Sequence, residues 1–325
     1  MRQGGIAVAT ADQIKSLIKA HIDQNDEKFK TVVLQIAASE AKRGHEIVAR
    51  ELKNYATKIT SRGNVIKIND GNNMFIMTTP QEKFSDLIVS EETEERIKRI
   101  LQEYRNQNKL RQYGLSNRRK ILIEGQPGTG KTYTASVIAS ELNIPLYTVQ
   151  MDKVVTKFMG ETSVRLRQIF DQVSVSVGVY LFDEFDAIGA DRSLDNEVGE
   201  ARRILNSFLQ FIEQDNSNSL IIASTNNQKL LDQALFRRFD DVLHYDMPSN
   251  NEIRRLYKLK LDTYSTDFNP DNALLEKSKG LSHAEIIRVC DDAIKESILS
   301  GTHINKNQML RLLDERKRAY SSKEA

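Results

Sequence analysis

The 325-residue sequence contains a single cysteine, Cys290, which excludes an internal disulfide and a thiolate metal cluster. The apolar pattern around it (Ile286, Ile287, Val289, Ile294) makes it a buried thiol on a helix. Its five histidines show no metal-ligand spacing. With only 5 prolines and 15 glycines, the chain has too few breakers for long disordered linkers. No apolar run approaches the ~18 residues that cross a bilayer. The N-terminal MRQGGIAVAT lacks the apolar core of a signal peptide, so a cytoplasmic protein with no membrane partner is expected. The net charge of +2 points to no class of partner. Neither H-E-x-x-H nor a Ser-His-Asp layout occurs in residues 249–325, so no self-contained protease is expected.

The composition, 39% apolar and 28% charged, suits a globular chain with many exposed helical faces. Two or three compact units fit at ~100–200 residues each. Residues 11–60 read as helix, broken near DQNDE. Ile14, Leu17, Ile18 and Ile22 share one face, and Phe29, Val32, Val33, Ile36 and Ile47 continue it. Two short apolar runs, NVIKI and MFIM, flank Asp70-Gly71 and suggest a β-hairpin. Residues 1–80 are therefore expected to form a small helical and hairpin module. Its apolar stripe must be buried somewhere, through self-assembly or docking of a separate partner protein.

From residue 81 the pattern alternates between helices and apolar strands: KILIEG (120–125), PLYTVQ (145–150), GVYLFDE (178–184) and SLIIAST (219–225). That alternation predicts an α/β fold, a parallel sheet flanked by helices, over residues 81–248. Residues 249–325 carry a helical period throughout and are expected to form a C-terminal helical subdomain. Residues 96–120 hold nine basic side chains against one acid, Glu103. Such a run could meet nucleic acid, but no interleaved aromatic pattern accompanies it, and a solvated helix face is preferred.

Gly125-Gln126-Pro127-Gly128-Thr129-Gly130-Lys131-Thr132 fits G-x-x-x-x-G-K-[ST] between a predicted strand and a predicted helix. Its glycines let backbone N–H groups close around phosphates, and the following helix adds its positive end. Lys131 would supply charge to the β- and γ-phosphates, and Thr132 a hydroxyl to Mg²⁺. In VYLFDEFD, Asp183 ends an apolar strand and can help hold that metal, while Glu184 can activate a water as general base. Asn226, after SLIIAST, is placed to meet the γ-phosphate or the attacking water. Arg237 and Arg238 in LFRRFDD are either members of a surface ion pair or arginine fingers given to a neighbouring subunit.

One stretch resists a local reading. In TKFMGETS (156–163), Phe158 and Met159 lie side by side between Lys157 and Gly160 in polar surroundings. They are either buried or held out to grip something.

Together with FSDLIVSEETEERI, GEARRILNSFLQFIE and GLSHAEIIRVCDDA, these motifs resemble the AAA ATPases in the family's own order over about residues 81–320. Within the family, the likeness is to the clade with katanin, spastin and the membrane-bound AAA proteases. The resemblance implies a P-loop NTPase fold with a C-terminal helical lid, ATP and Mg²⁺ as ligands, and a hexameric ring of identical chains that remodels or threads a protein substrate. By position, Lys131 and Thr132 resemble the Walker A pair, Asp183 and Glu184 the Walker B pair, and Asn226 sensor 1. Arg237 and Arg238 resemble the arginine fingers. Ile88 and Val89 are similar to the adenine-binding edge, and Tyr133, His283 and Ala284 are expected to face the nucleotide. His283 departs from the usual glycine-alanine lid pair. Gln214-Asp215-Asn216 also stands where aspartate-glycine is usual. Lys157-Phe158-Met159-Gly160 resembles the pore loop that grips extended polypeptide, which answers the question the stretch poses: an aromatic ring offers large contact area without reading sequence.

Overall fold

The computed structural model describes residues 11–22, 26–42, 45–58, 66–67, 74–155, 161–185, 195–226, 236–262, 264 and 268–321. The chain divides into two compact units, Met1–Val65 and Ile66–Ala325. The first contains α1 (Ala11–Ile22), α2 (Asp26–Lys42) and α3 (Glu46–Lys58). Val32, Val33 and Ala37 of α2 and Ala49 of α3 are buried, with Val33 and Ala37 four residues apart on one face of α2. Ile14, Ile18, Leu34 and Val48 remain exposed. The turn into α3 is held by His45 Nδ1 and Glu40 Oε2, 2.7 Å apart.

The second unit runs β1 (Ile66–Lys67), β2 (Phe75–Thr78), α4 (Glu91–Arg105), α5 (Gln107–Gln112), β3 (Lys120–Gly125), α6 (Lys131–Leu142), β4 (Leu146–Val149), α7 (Met151–Val154), α8 (Glu161–Val175), β5 (Val179–Phe182), α9 (Asp195–Gln214), β6 (Leu220–Thr225) and β7 (Asp241–Tyr245). The helices α10 (Asn250–Leu261), α11 (Asn272–Ser278), α12 (His283–Ser300) and α13 (Lys306–Ser321) complete it. The strands form one sheet in the order β1-β2-β4-β5-β6-β3-β7. From β4 to β7 every pairing is parallel.

Side chains alternate across that sheet. Tyr180 and Phe182 of β5 join Leu122 of β3 in a core with α8 and α9. There Phe182 meets Phe208 edge-on at 4.9 Å and stacks on Phe170 at 5.8 Å. Val179, Leu181, Ile121 and Ile123 face the other way and pack with Ile97 and Ile100 of α4 and Ile138 of α6. A third core lies among α10 to α13, around Tyr257, Leu274, Ile286, Met309 and Leu313, and it includes Cys290 and Ile88. Burial raises the Cys290 thiol well above its usual range, as befits an inert packing residue.

The expected hairpin does pair, Ile66 with Met77 and Lys67 with Ile76. Its second strand, however, continues the main sheet: Phe75 to Thr78 run antiparallel to Leu146–Val149 of β4. These strands therefore lie with the second unit, because their hydrogen bonds and the buried Phe75 go to the sheet.

The basic stretch is largely occupied within the chain. Arg96 pairs with Asp241, Lys98 with Glu94, Arg105 with Glu141, Arg118 with Glu103 and Arg119 with Asp215, while Arg111 donates to Asn218. Apart from Lys98, whose partner lies one turn away on α4, these residues tie α4, α5 and the approach to β3 to other parts of the unit instead of presenting a bare cationic face. Among the described residues, no helix is long and apolar enough to cross a membrane.

Candidate functional site

In a parallel sheet, the loops after the strands open at one edge, and ligands bind there. β5, β6 and β3 are neighbours, with Phe182 paired to Ala223 and Glu124 to Thr225. The residues that follow the three strands, Asp183, Asn226 and Gln126, therefore emerge side by side. A cavity of about 640 Å³ lies at this edge. It is lined by Pro127 to Tyr133, Asp183, Glu184 and Asn226 on one side, and by Ile88, Leu256, Leu259, His283, Ala284 and Ile287 on the other.

The loop after β3 depends on its glycines. Gly128 has φ +76° and Gly130 φ +104°, a region that L side chains enter at a cost. At Gly125, a Cβ would stand 2.2 Å from the carbonyl oxygen of Tyr245, so β7 can approach only a glycine there. Lys131 opens α6 and donates from Nζ to the carbonyls of Gly125 and Gln126, each at 2.8 Å. Thr129 closes the loop by donating to the Gln126 carbonyl at 2.8 Å. The backbone N–H groups and the α6 N-terminus lie at the same edge, a setting for anionic phosphate.

The acidic side of the cavity is a hydrogen-bonded set. Thr132 Oγ1 donates to Asp183 Oδ2 at 2.6 Å, and Ser224 Oγ donates to Asp183 Oδ1. The Glu184 N–H reaches Asp183 Oδ1 at 3.1 Å and Ser224 Oγ at 3.3 Å. Glu184 has φ +50°, an unusual conformation for a non-glycine residue that aims its exposed side chain away from the strand line. Thr132 and Asp183 thus juxtapose two oxygens, the donor type a hard divalent cation takes. Ser224 was not foreseen. A small hydroxyl inside the apolar strand LIIAST, fully buried, is the signal that it has a polar partner.

The helical face is fixed by the start of α12. Ser282 and Glu285 form a capping box, with Ser282 N–H donating to Glu285 Oε2 at 2.7 Å. Ala284 N–H then donates to the Gly128 carbonyl at 2.9 Å, joining the helix to the loop directly. Replacing Ser282 with alanine should cost about 1 kcal/mol, read as a lower denaturation midpoint without a change in the slope with denaturant. His283 is buried, and burial draws its imidazole pKa down against an opposing pull from Glu252. The unfolded chain thus takes up this proton first as pH falls, so stability is lost on acidification through the ordinary imidazole range.

The other foreseen residues are placed as follows. Tyr133 lines the cavity and its phenol is raised by partial burial. Val89 is buried and lines a second cavity of about 420 Å³ instead, with His283 in the wall common to both. Arg237 and Arg238 are exposed and do not line the nucleotide-sized cavity, and Arg238 pairs with Glu213 at the surface. Asp215, in the departing Gln214-Asp215-Asn216 segment, is buried against Arg119. Lys157, Phe158, Met159 and Gly160 lie outside the described residues.

Residues 121–247 match the family model described as ATPase family associated with various cellular activities (AAA). The chain is 34% identical over 303 residues to an uncharacterized AAA family ATPase of Sinorhizobium fredii, covering 90% of each. It is 27% identical over 235 residues to a protein of Methanothermobacter marburgensis described as a 26S proteasome regulatory subunit homologue, covering 71% of this chain and 62% of that one. It is 32% identical over 231 residues to the ATP-dependent zinc metalloprotease FtsH of Mycoplasmopsis synoviae, covering 69% of this chain but only 35% of the metalloprotease.

Proposed function

Because this chain belongs to the AAA family of ATPases, and so hydrolyses ATP, we propose that it spends that hydrolysis on unfolding or threading protein substrates through a ring of six identical copies. The observation that carries the chemistry is the set joining Thr132, Asp183 and Ser224, with Glu184 beside it. The loop N–H groups and Lys131 bind the phosphates of ATP. Thr132 and Asp183 would hold Mg²⁺, which when bound neutralises phosphate charge. Glu184 takes the proton of the attacking water, and Asn226 orients that water or the γ-phosphate. Ile88 and Ile287 cover the nucleoside end.

Arg237 and Arg238 stand away from their own cavity, which favours a role at the next protomer's γ-phosphate. Arg238 would first leave Glu213. Both partners are largely exposed, so that exchange costs little.

Protein substrates are supported by two kinds of relative, a proteasome regulatory subunit homologue and an ATP-dependent metalloprotease. A separate peptidase partner, reached through the N-terminal helices, fits this reading. Against a nucleic-acid motor stand the internal ion pairs of residues 96–120. The decisive assay follows unfolding of a tagged fluorescent protein alongside phosphate release. Phe158→Ala should slow unfolding by about tenfold and leave ATP turnover nearly unchanged. Intact unfolding in that variant would remove the pore loop from the account. ATPase stimulation by DNA or RNA with steep salt dependence would favour the nucleic-acid motor instead.

A further inference from the structure

Leu220 and Ile222 of β6 pack on the side of the sheet that carries α4 and α6, and strand alternation puts Ser224 on that side after them. A third apolar side chain would complete the stripe. A hydroxyl stands there instead, fully buried, beside the point where Asp183 leaves the neighbouring strand. Burying a hydroxyl is costly unless it is bonded, and this one is bonded twice. It donates to Asp183 Oδ1 and accepts from the Glu184 N–H at 3.3 Å.

Each bond constrains a different part of the site. Asp183 Oδ1 takes the Ser224 hydroxyl and the Glu184 N–H, as many donors as it has lone pairs. Oδ2 takes Thr132 alone among the described residues, so it is the oxygen with capacity left toward the cavity. The Glu184 N–H, shared between Ser224 Oγ and Asp183 Oδ1, closes the turn in which Glu184 has φ +50°. A residue other than glycine keeps that conformation only where its surroundings fix it.

We infer that Ser224 is a positioning residue for hydrolysis: its one hydroxyl turns Asp183 Oδ2 to the metal position and holds the turn that presents Glu184. Ser224 does not line the 640 Å³ cavity, so it acts through these two neighbours and not on the nucleotide. The inference deepens the reading of that cavity as the site for ATP and Mg²⁺, and rests on it.

Ser224→Thr and Ser224→Val test this in the full-length protein, because the two side chains share one shape and differ by the hydroxyl. Ser224→Val should lower kcat for ATP by about tenfold, the scale of one hydrogen bond to a charged group, with KM nearly unchanged. Ser224→Thr should keep most of the rate. Calorimetric titration with a non-hydrolysable ATP analogue, once in Mg²⁺ and once in EDTA, reads the metal side without turnover. Ser224→Val should weaken binding by about fivefold in Mg²⁺ and leave it unchanged in EDTA, a metal-specific loss that general loosening of the fold would not give. Ser224→Thr and Ser224→Val alike in kcat and in the Mg²⁺ titration would overturn the proposal, as would equal weakening with and without metal. Ser224→Ala takes the place of the valine variant should that one fail to fold. Absence of any analogue binding by the wild-type chain would instead bring down the ATP-site reading beneath it.

Discussion

Glu184→Gln should slow ATP turnover by about a hundredfold to a thousandfold, the share a positioned general base supplies, while ATP still binds. The two parts of that result have separate origins. The amide has the carboxylate's shape but cannot take a proton from water. The backbone N–H of residue 184 still meets Asp183 Oδ1 and Ser224 Oγ, so the turn that presents the side chain stays in place. In the proposed reading binding rests elsewhere, on the loop and on Thr132, whose hydroxyl donates to Asp183 at 2.6 Å. Single-turnover hydrolysis beside calorimetric ATP titration separates the two quantities. Undiminished turnover would strip Glu184 of its role as base and leave the water to be activated by another group.

Gly128→Ala should lower kcat/KM for ATP by about a hundredfold, roughly 2.7 kcal/mol of lost transition-state stabilisation. A Cβ at this position would lie 2.6 Å from Ser282 Oγ and 3.3 Å from the Ala284 Cβ. Ser282 cannot simply retreat, because its hydroxyl caps α12 and its backbone N–H is held by Glu285. The helix would have to move off the loop, breaking the 2.9 Å bond from Ala284 to the Gly128 carbonyl and opening the cavity. The left-handed φ of +76° adds a backbone cost of about 1–2 kcal/mol. Gly130→Ala is the internal comparison, since φ is +104° but no atom lies within 4 Å of its Cβ. Thermal melting of the ligand-free proteins should therefore fall further for Gly128→Ala than for Gly130→Ala. Equal falls would mean that strain in the loop, not the helix contact, is what matters.

Local information made much of this molecule legible. KILIEG is β3 as expected, and β4, β5 and β6 differ from their predicted spans only at the ends, where Pro145, Gln150, Gly178, Asp183, Glu184 and Ser219 fall outside the paired strands. The motif 125–132 carries its conformation in its own glycines, and Asp183 and Glu184 announce themselves by ending an apolar run. Partnerships between distant residues were not legible. Nothing near Gly128 indicates Ala284, and nothing near Arg119 indicates Asp215. The charge run at 96–120 looks bare only because its carboxylates come from Glu94 and Glu103 nearby and from Glu141, Asp215 and Asp241 far along the chain. Val89 was expected beside the nucleotide with Ile88. Consecutive residues in extended backbone point to opposite sides, and it lines the neighbouring cavity instead.

The antiparallel attachment of β2 has a practical consequence. Phe75 to Thr78 shield the hydrogen-bonding rim of Leu146–Val149, and Ile66 and Lys67 pair in turn with Met77 and Ile76. A chain clipped at residue 81, to free the catalytic body from its N-terminal helices, would bare that rim and invite copies to stack on one another. Clipping ahead of Ile66 leaves the seam covered and the solution clear.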